Sequence, residues 1–211
     1  MGLRCAYLSS CAVGTDVKLM NPALSLPTEE PTMKGIGFEN VRLYVHERFG
    51  EGAWQTVMSR LSPTEREEVE HAIAVGWYKV SCFAALLRAV DRVCGTGNLA
   101  LMREIGAFEA EQDMNRAIRV FLRVLNPNQL LKVEARIWRH FQSHGEWTTK
   151  KVAGGVEAEL SGWFADEASC EELAGYLVRL VEFTGGKSVR MKHRVCRAKG
   201  HGRCVFEYRY Q

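Results

Sequence analysis

The hydrophobic pattern of this chain changes period once, at Gly145, and that change limits the fold more than any other feature of the sequence. Before it, apolar residues recur at helical spacing. Phe38, Val41, Val45 and Phe49 share one face, and Gly50 and Gly52 end the segment. Trp54, Val57, Met58 and Leu61 form a second short helix. "SPTERE" from Ser62 is a start signal, with a capping serine, a proline at the first helical position and acids in the first turn. Phe83, Leu86, Leu87, Val90 and Val93 make a further stripe that stops at Gly95. Helix is expected again from Leu99 to Leu125, broken near Asp113. Asn126 then caps a helix opening on Pro127, with Leu130, Val133, Ile137, Trp138 and Phe141 on one face.

After Gly145 the residues alternate. "GVEAELSGW" sets Val156, Ala158 and Leu160 against Glu157 and Glu159, as a half-buried strand does. Ser169 is expected to cap a helix carrying Leu173, Tyr176, Leu177, Leu180 and Val181, ended by Gly185 and Gly186. A hairpin follows, with Val189, Met191, His193 and Val195 inward on one strand and Cys204, Phe206, Tyr208 and Tyr210 on one side of the next. Helices first, then strand, helix and hairpin, predict an α+β fold with an antiparallel sheet in its C-terminal half.

Residues 1–33 are expected to be an extension and 34–211 a single domain. Pro22, Pro27 and Pro31 fall close together and no period holds between them. Leu19, Met20, Leu24 and Leu26 in that stretch have no core of their own, so a homodimer is expected in which they and the first helices meet a second copy. The apolar stretch before Cys11 is too short for a signal peptide, and Ala6 stands where myristoylation requires Ser or Thr. The expected location is therefore the cytoplasm. No run approaches the roughly eighteen apolar residues of a spanning helix. A net charge of +3 is too small to argue for direct nucleic-acid binding. From Lys187 to Arg209, eight Lys or Arg residues face the single acid Glu207, which reads as the solvated side of the hairpin or a surface for an acidic partner.

Seven cysteines, an odd number, read as reduced thiols or metal ligands before disulfides. Cys196 and Cys204 flank a turn containing Gly200 and Gly202. Strand parity turns His193 and Cys204 inward. Cys196 is one position out of step, which a bulge corrects cheaply beside those glycines. Cys170 lies in the first turn of the preceding helix, where the positive dipole end favours a thiolate. The seven-residue gap between Cys196 and Cys204 is longer than that of most structural zinc sites. Spacing alone therefore leaves isolated buried thiols, a disulfide and a metal site open.

The segment Trp163 to Tyr210, with its Cys, glycine-ended helix and "C…KG…C.F" hairpin, resembles the C-terminal half of the 4-vinyl-reductase-like (V4R) domain. That domain belongs to the ligand-binding superfamily shared with haem nitric-oxide-binding proteins and TRAPP subunits. "KGIGFENVRLYVHERFGEGAWQTVMSRLSP" and "GWYKVSCFAALLRAV" resemble its helical half, most of all in a myxobacterial-type branch. In phenol-sensing activators of this type three cysteines and a glutamate hold zinc beside the effector pocket. Cys170, Cys196 and Cys204 match the cysteines, and His193 stands in the place of the glutamate. The resemblance thus implies a structural zinc with Cys170, His193, Cys196 and Cys204 as ligands.

It also implies a non-catalytic sensory domain for a small apolar or aromatic ligand, signalling through a protein partner or a dimer. Phe83, Phe108, Trp138 and Met191 are the candidate pocket residues. The alternative is a TRAPP-like adaptor working by protein contact. Haem is not expected, because the Tyr-x-Ser-x-Arg signature of the haem-binding relatives is missing. A haem or nitric-oxide sensor and a tetrapyrrole enzyme are the remaining, less favoured readings. His140 and His144, four apart, are expected to be exposed or capping rather than a metal pair. No Walker loop, dinucleotide fingerprint, HExxH motif or nucleophile elbow is present.

Overall fold

Three of the described helices start where their unpaired N–H groups find side-chain acceptors. The computed structural model describes residues 29–114, 122, 125–163 and 166–211. Its helices are α1 (Ile36–Phe49), α2 (Glu51–Ser59), α3 (Pro63–Glu70), α4 (Val80–Cys94), α5 (Ala100–Asp113), α6 (Pro127–Phe141) and α7 (Glu167–Phe183). At α3, Ser62 Oγ accepts from the Glu65 amide at 3.3 Å, and Glu65 Oε2 accepts from the Ser62 amide at 2.8 Å. Asn126 and Gln129 close the same reciprocal box at α6, both bonds being 2.9 Å. The cap of α7 is Asp166, not the expected Ser169: its Oδ1 accepts from the Ser169 amide at 3.0 Å, which starts the helix earlier and leaves Cys170 in the first turn. Helix α5 stops at Asp113, where the sequence predicts a break.

A short antiparallel ribbon pairs β1 (Thr32–Lys34) with β2 (Trp77–Lys79), so Thr32 and Met33, at the end of the segment expected to be an extension, belong to a strand. Leu19, Met20, Leu24 and Leu26 lie outside the described residues. The main sheet contains β3 (Glu146–Val152), β4 (Gly155–Ser161), β5 (Arg190–Val195) and β6 (Arg203–Arg209), all antiparallel, in the order β3-β4-β6-β5. Strand β3 gives almost no sequence signal, because only Trp147 along "EWTTKKV" is fully buried. It forms by pairing with β4 across a two-residue turn whose Gly154 takes a φ of +67°. One apolar cluster runs from Val41 and Leu86 in the helical half to Leu160 and Phe206 in the sheet. The described chain is therefore a single α+β unit.

The two halves meet most closely where α5 crosses α7. A Cβ on Gly106 would lie 1.9 Å from the Glu172 carbonyl oxygen, and one on Gly175 would lie 2.1 Å from that of Arg103. Neither obstacle is a flexible side chain. Gly175→Ala and Gly106→Ala are each expected to destabilise the chain by about 3 kcal/mol, the upper range for overpacking, because two backbones must separate. Gly52→Ala, at an exposed position of α2 with nothing within 4 Å, is the control and is expected to be neutral or stabilising. Urea unfolding midpoints decide it, and equal effects at all three positions would refute the close crossing.

Candidate functional site

The C-terminal hairpin and the start of α7 bring four side chains together. The register of β5 on β6 slips between His193 and Val195, and this bulge returns Cys196 to the side that already holds His193 and Cys204. Ligand atoms of Cys170, His193, Cys196 and Cys204 all lie within 4.8 Å of one another. Cys170 Sγ is 3.8 Å from Cys204 Sγ and 4.0 Å from Cys196 Sγ. His193 stacks on Phe206 at 4.3 Å, and its Nδ1 faces Glu171 at 4.0 Å. Its Nε2 is buried with no hydrogen-bond partner. The Cys170 thiol, opposed by burial and helped by His193 and the Arg197 amide, brings Cys204 down to about 5, in the direction that favours its thiolate. Burial works against the charged form of His193, yet Cys204 and Glu171 outweigh it and lift the imidazole to about 9. Three sulfurs and one imidazole within this distance are a donor set for a thiophilic metal ion.

A second site lies elsewhere. A cavity of about 680 Å³ opens between α1, α5, α6 and α7, with Phe83, Leu130, Trp138, Trp147, Trp163 and Leu177 among its apolar walls. Trp147 and Trp163 each pack on Trp138, at 5.6 and 5.8 Å between ring centres. Its polar side carries Glu109, Glu172 and Asp113 with Asn40 and Tyr176. Asp113 accepts from Asn40 Nδ2 at 2.9 Å and from Tyr176 Oη at 3.2 Å. Burial, the Glu172 charge and the hydrogen bond that the Glu109 carboxyl donates to Glu172 hold Glu109 well above the usual range. Burial pushes Glu172 up to about 7 against the opposing bond from Glu109. Two buried carboxyls thus share protons inside an apolar cavity.

Of the expected pocket residues, Phe83 and Trp138 line this cavity. Phe108 packs edge-on against Tyr44 at 5.3 Å, and Met191 borders a surface cleft beside His193 and Arg103. None of the four cluster residues lines the cavity; Cys170 lies two residues before Glu172, which does, and His193 and Cys196 border a separate surface cleft. His140 is exposed, and His144 Nδ1 lies 2.8 Å from Ser143 Oγ; neither belongs to a metal-ligating group among the described residues. The basic C-terminal run is partly neutralised, Lys199 by Glu167 at 2.8 Å and Arg203 by Glu159 at 3.1 Å. The acidic pair was missed in the sequence because helical carboxylates ordinarily face water. The available signal was Gly106 and Gly175, each inside a helix and three positions from an acid.

No family model matches the sequence, and no curated protein matches it. Solved structures do share the fold. An H-NOX protein from S. oneidensis in the Fe(II)NO state superimposes with a TM-score of 0.67 at 15% identity, over 85% of this chain and 99% of that one. The unliganded Fe(II) H-NOX protein from K. algicida gives 0.63 at 15% identity, over 85% and 97%. A Shewanella woodyi H-NOX bound to IWP-051 gives 0.63 at 12% identity, over 85% and 95%. These findings overturn the resemblance to the V4R domain and the TRAPP-like alternative. That resemblance rested chiefly on one short cysteine hairpin, whereas the superposition covers both halves of the chain. The expected function, a V4R-type sensor with structural zinc that excludes haem, is corrected with it. The neighbours are named for iron with NO or CO and not for zinc, and haem is the group that had been set aside.

The carboxyl pair sets a pH dependence. Unfolded, Glu172 loses its proton near 4.5; folded, near 7. Its contribution is full below about pH 4.5 and falls as pH rises through 7, by on the order of 3 kcal/mol. Glu109 acts in the same direction. Urea unfolding from mildly acidic to mildly basic pH is expected to show stability declining, and Glu172→Gln is expected to flatten the curve and stabilise the basic end. An unchanged slope in that variant would contradict the buried pair.

Proposed function

We propose that this chain is a ligand-binding sensor domain on the H-NOX fold, with the cavity between α1, α5, α6 and α7 as its binding site. The observation that carries this reading is the cavity itself, about 680 Å³ walled by residues of both halves, within the usual range for an organic ligand. Haem iron is held by an axial His, Cys, Met or Tyr. Among the described lining residues there is no His or Cys, and the sequence has no histidine between His71 and His140. Met33, Met114 and Tyr176 are the available donors, and Tyr176 already bonds Asp113. Among the described lining residues Lys34 is the one cation to meet a haem's two propionates, beside three acids. The fold is that of haem domains, but these residues do not fit a haem, and the reading is of an organic ligand in its place.

Residues 34–211 act as the one domain in this reading, and 1–33 as its extension. Output passes to a protein partner or a second copy. Ile73, Val75 and Trp77 support this, because they form an exposed apolar patch next to Lys34 at the cavity mouth. No described helix is long and apolar enough to cross a membrane. Five unpaired cysteines among the described residues suit a reducing compartment, and the cytoplasm is part of the proposal.

Two measurements test it. Fluorescence of phenylnaphthylamine, a neutral apolar probe, is expected to rise on adding the chain, and Leu125→Trp, which fills the cavity, is expected to weaken uptake about tenfold. Hemin is expected to produce no stoichiometric Soret band, and such a band would replace the organic ligand with haem. The sulfur cluster is proposed as a separate site for a thiophilic divalent ion. Cobalt(II) is expected to give thiolate-to-metal charge-transfer absorption that is lost in Cys204→Ala and weakened in His193→Ala. The same spectrum from both variants as from the unaltered chain would exclude this assignment.

A further inference from the structure

The ligand that this cavity selects is legible from the unmet polar atoms of its described lining: Glu109 Oε1, and the indole N–H groups of Trp147 and Trp163 on the aromatic wall. Glu109 is 4% exposed and lines the cavity, yet its Oε1 has no hydrogen-bond partner. An orphaned buried carboxylate oxygen costs free energy unless something supplies a donor. Around Glu109 the chain adds acceptors, and the unmet donors of the described lining are the two indole N–H groups. Glu172 and Asp113 are the other lining acids, and Asn40 and Tyr176 spend their described donor bonds on Asp113. Lys34 is the only basic residue among the described lining. It is held at the mouth, where Nζ donates to the Val75 carbonyl at 2.7 Å and sits 4.2 Å above the Trp77 ring.

An inorganic cation does not suit the arrangement. Among the described residues, the cysteine cluster is the only set of three or more potential metal ligands that converges within 4.8 Å, so the three acids do not form a coordination shell. The remaining wall is aromatic and aliphatic, with Trp138 stacked on Trp147. Such a site suits a molecule with a cationic donor at one end and a flat apolar body at the other.

We infer that the cavity binds an organic ammonium ion with an aromatic body, its N–H groups donating to Glu109 and its ring lying among the tryptophans. This rests on the cavity being the ligand site, as proposed above. On binding, the ammonium N–H groups supply the donors that Glu109 Oε1 lacks. Lys34 at the mouth and Asp113 at the acidic side are the other charged groups that face the ligand.

Tryptamine, its alcohol counterpart tryptophol and its carboxylate counterpart indolepropionate, each added to the full chain near neutral pH with phenylnaphthylamine as the displaced probe, test it. Tryptamine is expected to bind at least about tenfold tighter than tryptophol, with indolepropionate the weakest. Glu109→Gln is expected to remove that lead. Asp113→Asn, checked for folding by circular dichroism, is expected to reduce it and serves where Glu109→Gln does not fold. Uptake of phenylnaphthylamine with no lead for tryptamine would overturn the inference and leave the cavity reading intact, as would a lead that survives in both variants. Refusal of the probe and of all three indoles would overturn both.

Discussion

Backbone-to-backbone contact between α5 and α7 at Gly106 and Gly175 is the constraint from which the rest of this structure follows. Helices normally keep a side-chain layer between their axes. Here glycine removes that layer on both sides, and each helix comes against the other's carbonyl oxygens. Residues one turn away are then pressed into the same space. That is how Glu109 and Glu172 come to share a buried position that neither occupies at low cost alone. Outside the contact, Arg103 reaches Glu171 at 2.6 Å and ties the same crossing to the residue that faces His193.

Much of the cysteine cluster was legible in advance, because strand parity is a strict rule. His193 and Cys204 fall on the inner side of their strands by alternation, and the misfit of Cys196 required a bulge that Gly200 and Gly202 make cheap. The capping boxes at Ser62 and Asn126 were equally direct, since a cap is a local bond between residues three apart. Ser169 misled because Asp166, three residues before it, is an equally good acceptor, and sequence does not rank them.

What escaped the sequence depends on partners distant along the chain. Strand β3 is polar along most of its length and is a strand only because β4 lies beside it. Phe108 and Met191 are apolar residues of the right type, but which apolar side chains surround a hollow and which fill a core is decided by packing. Kinship was misjudged for a related reason. A set of soft ligands on a hairpin is a local solution that a short motif can match, whereas fold similarity at 15% identity leaves almost no local trace. Burial of an acid is the hardest feature to foresee, because the residue type argues against it.

Helix α7 belongs to both sites. Cys170 in its first turn joins the sulfur cluster, while Glu172, Leu173, Tyr176 and Leu177, further along the same seventeen residues, line the cavity. A rigid rod that forms part of two walls cannot adjust to one occupant without altering the fit of the other. Thermodynamic linkage makes such an influence symmetric: whatever factor one occupant imposes on the affinity of the second, the second imposes on the first. The shared helix thus links the two proposed sites, so a test of either one is to be made with the occupancy of the other held fixed.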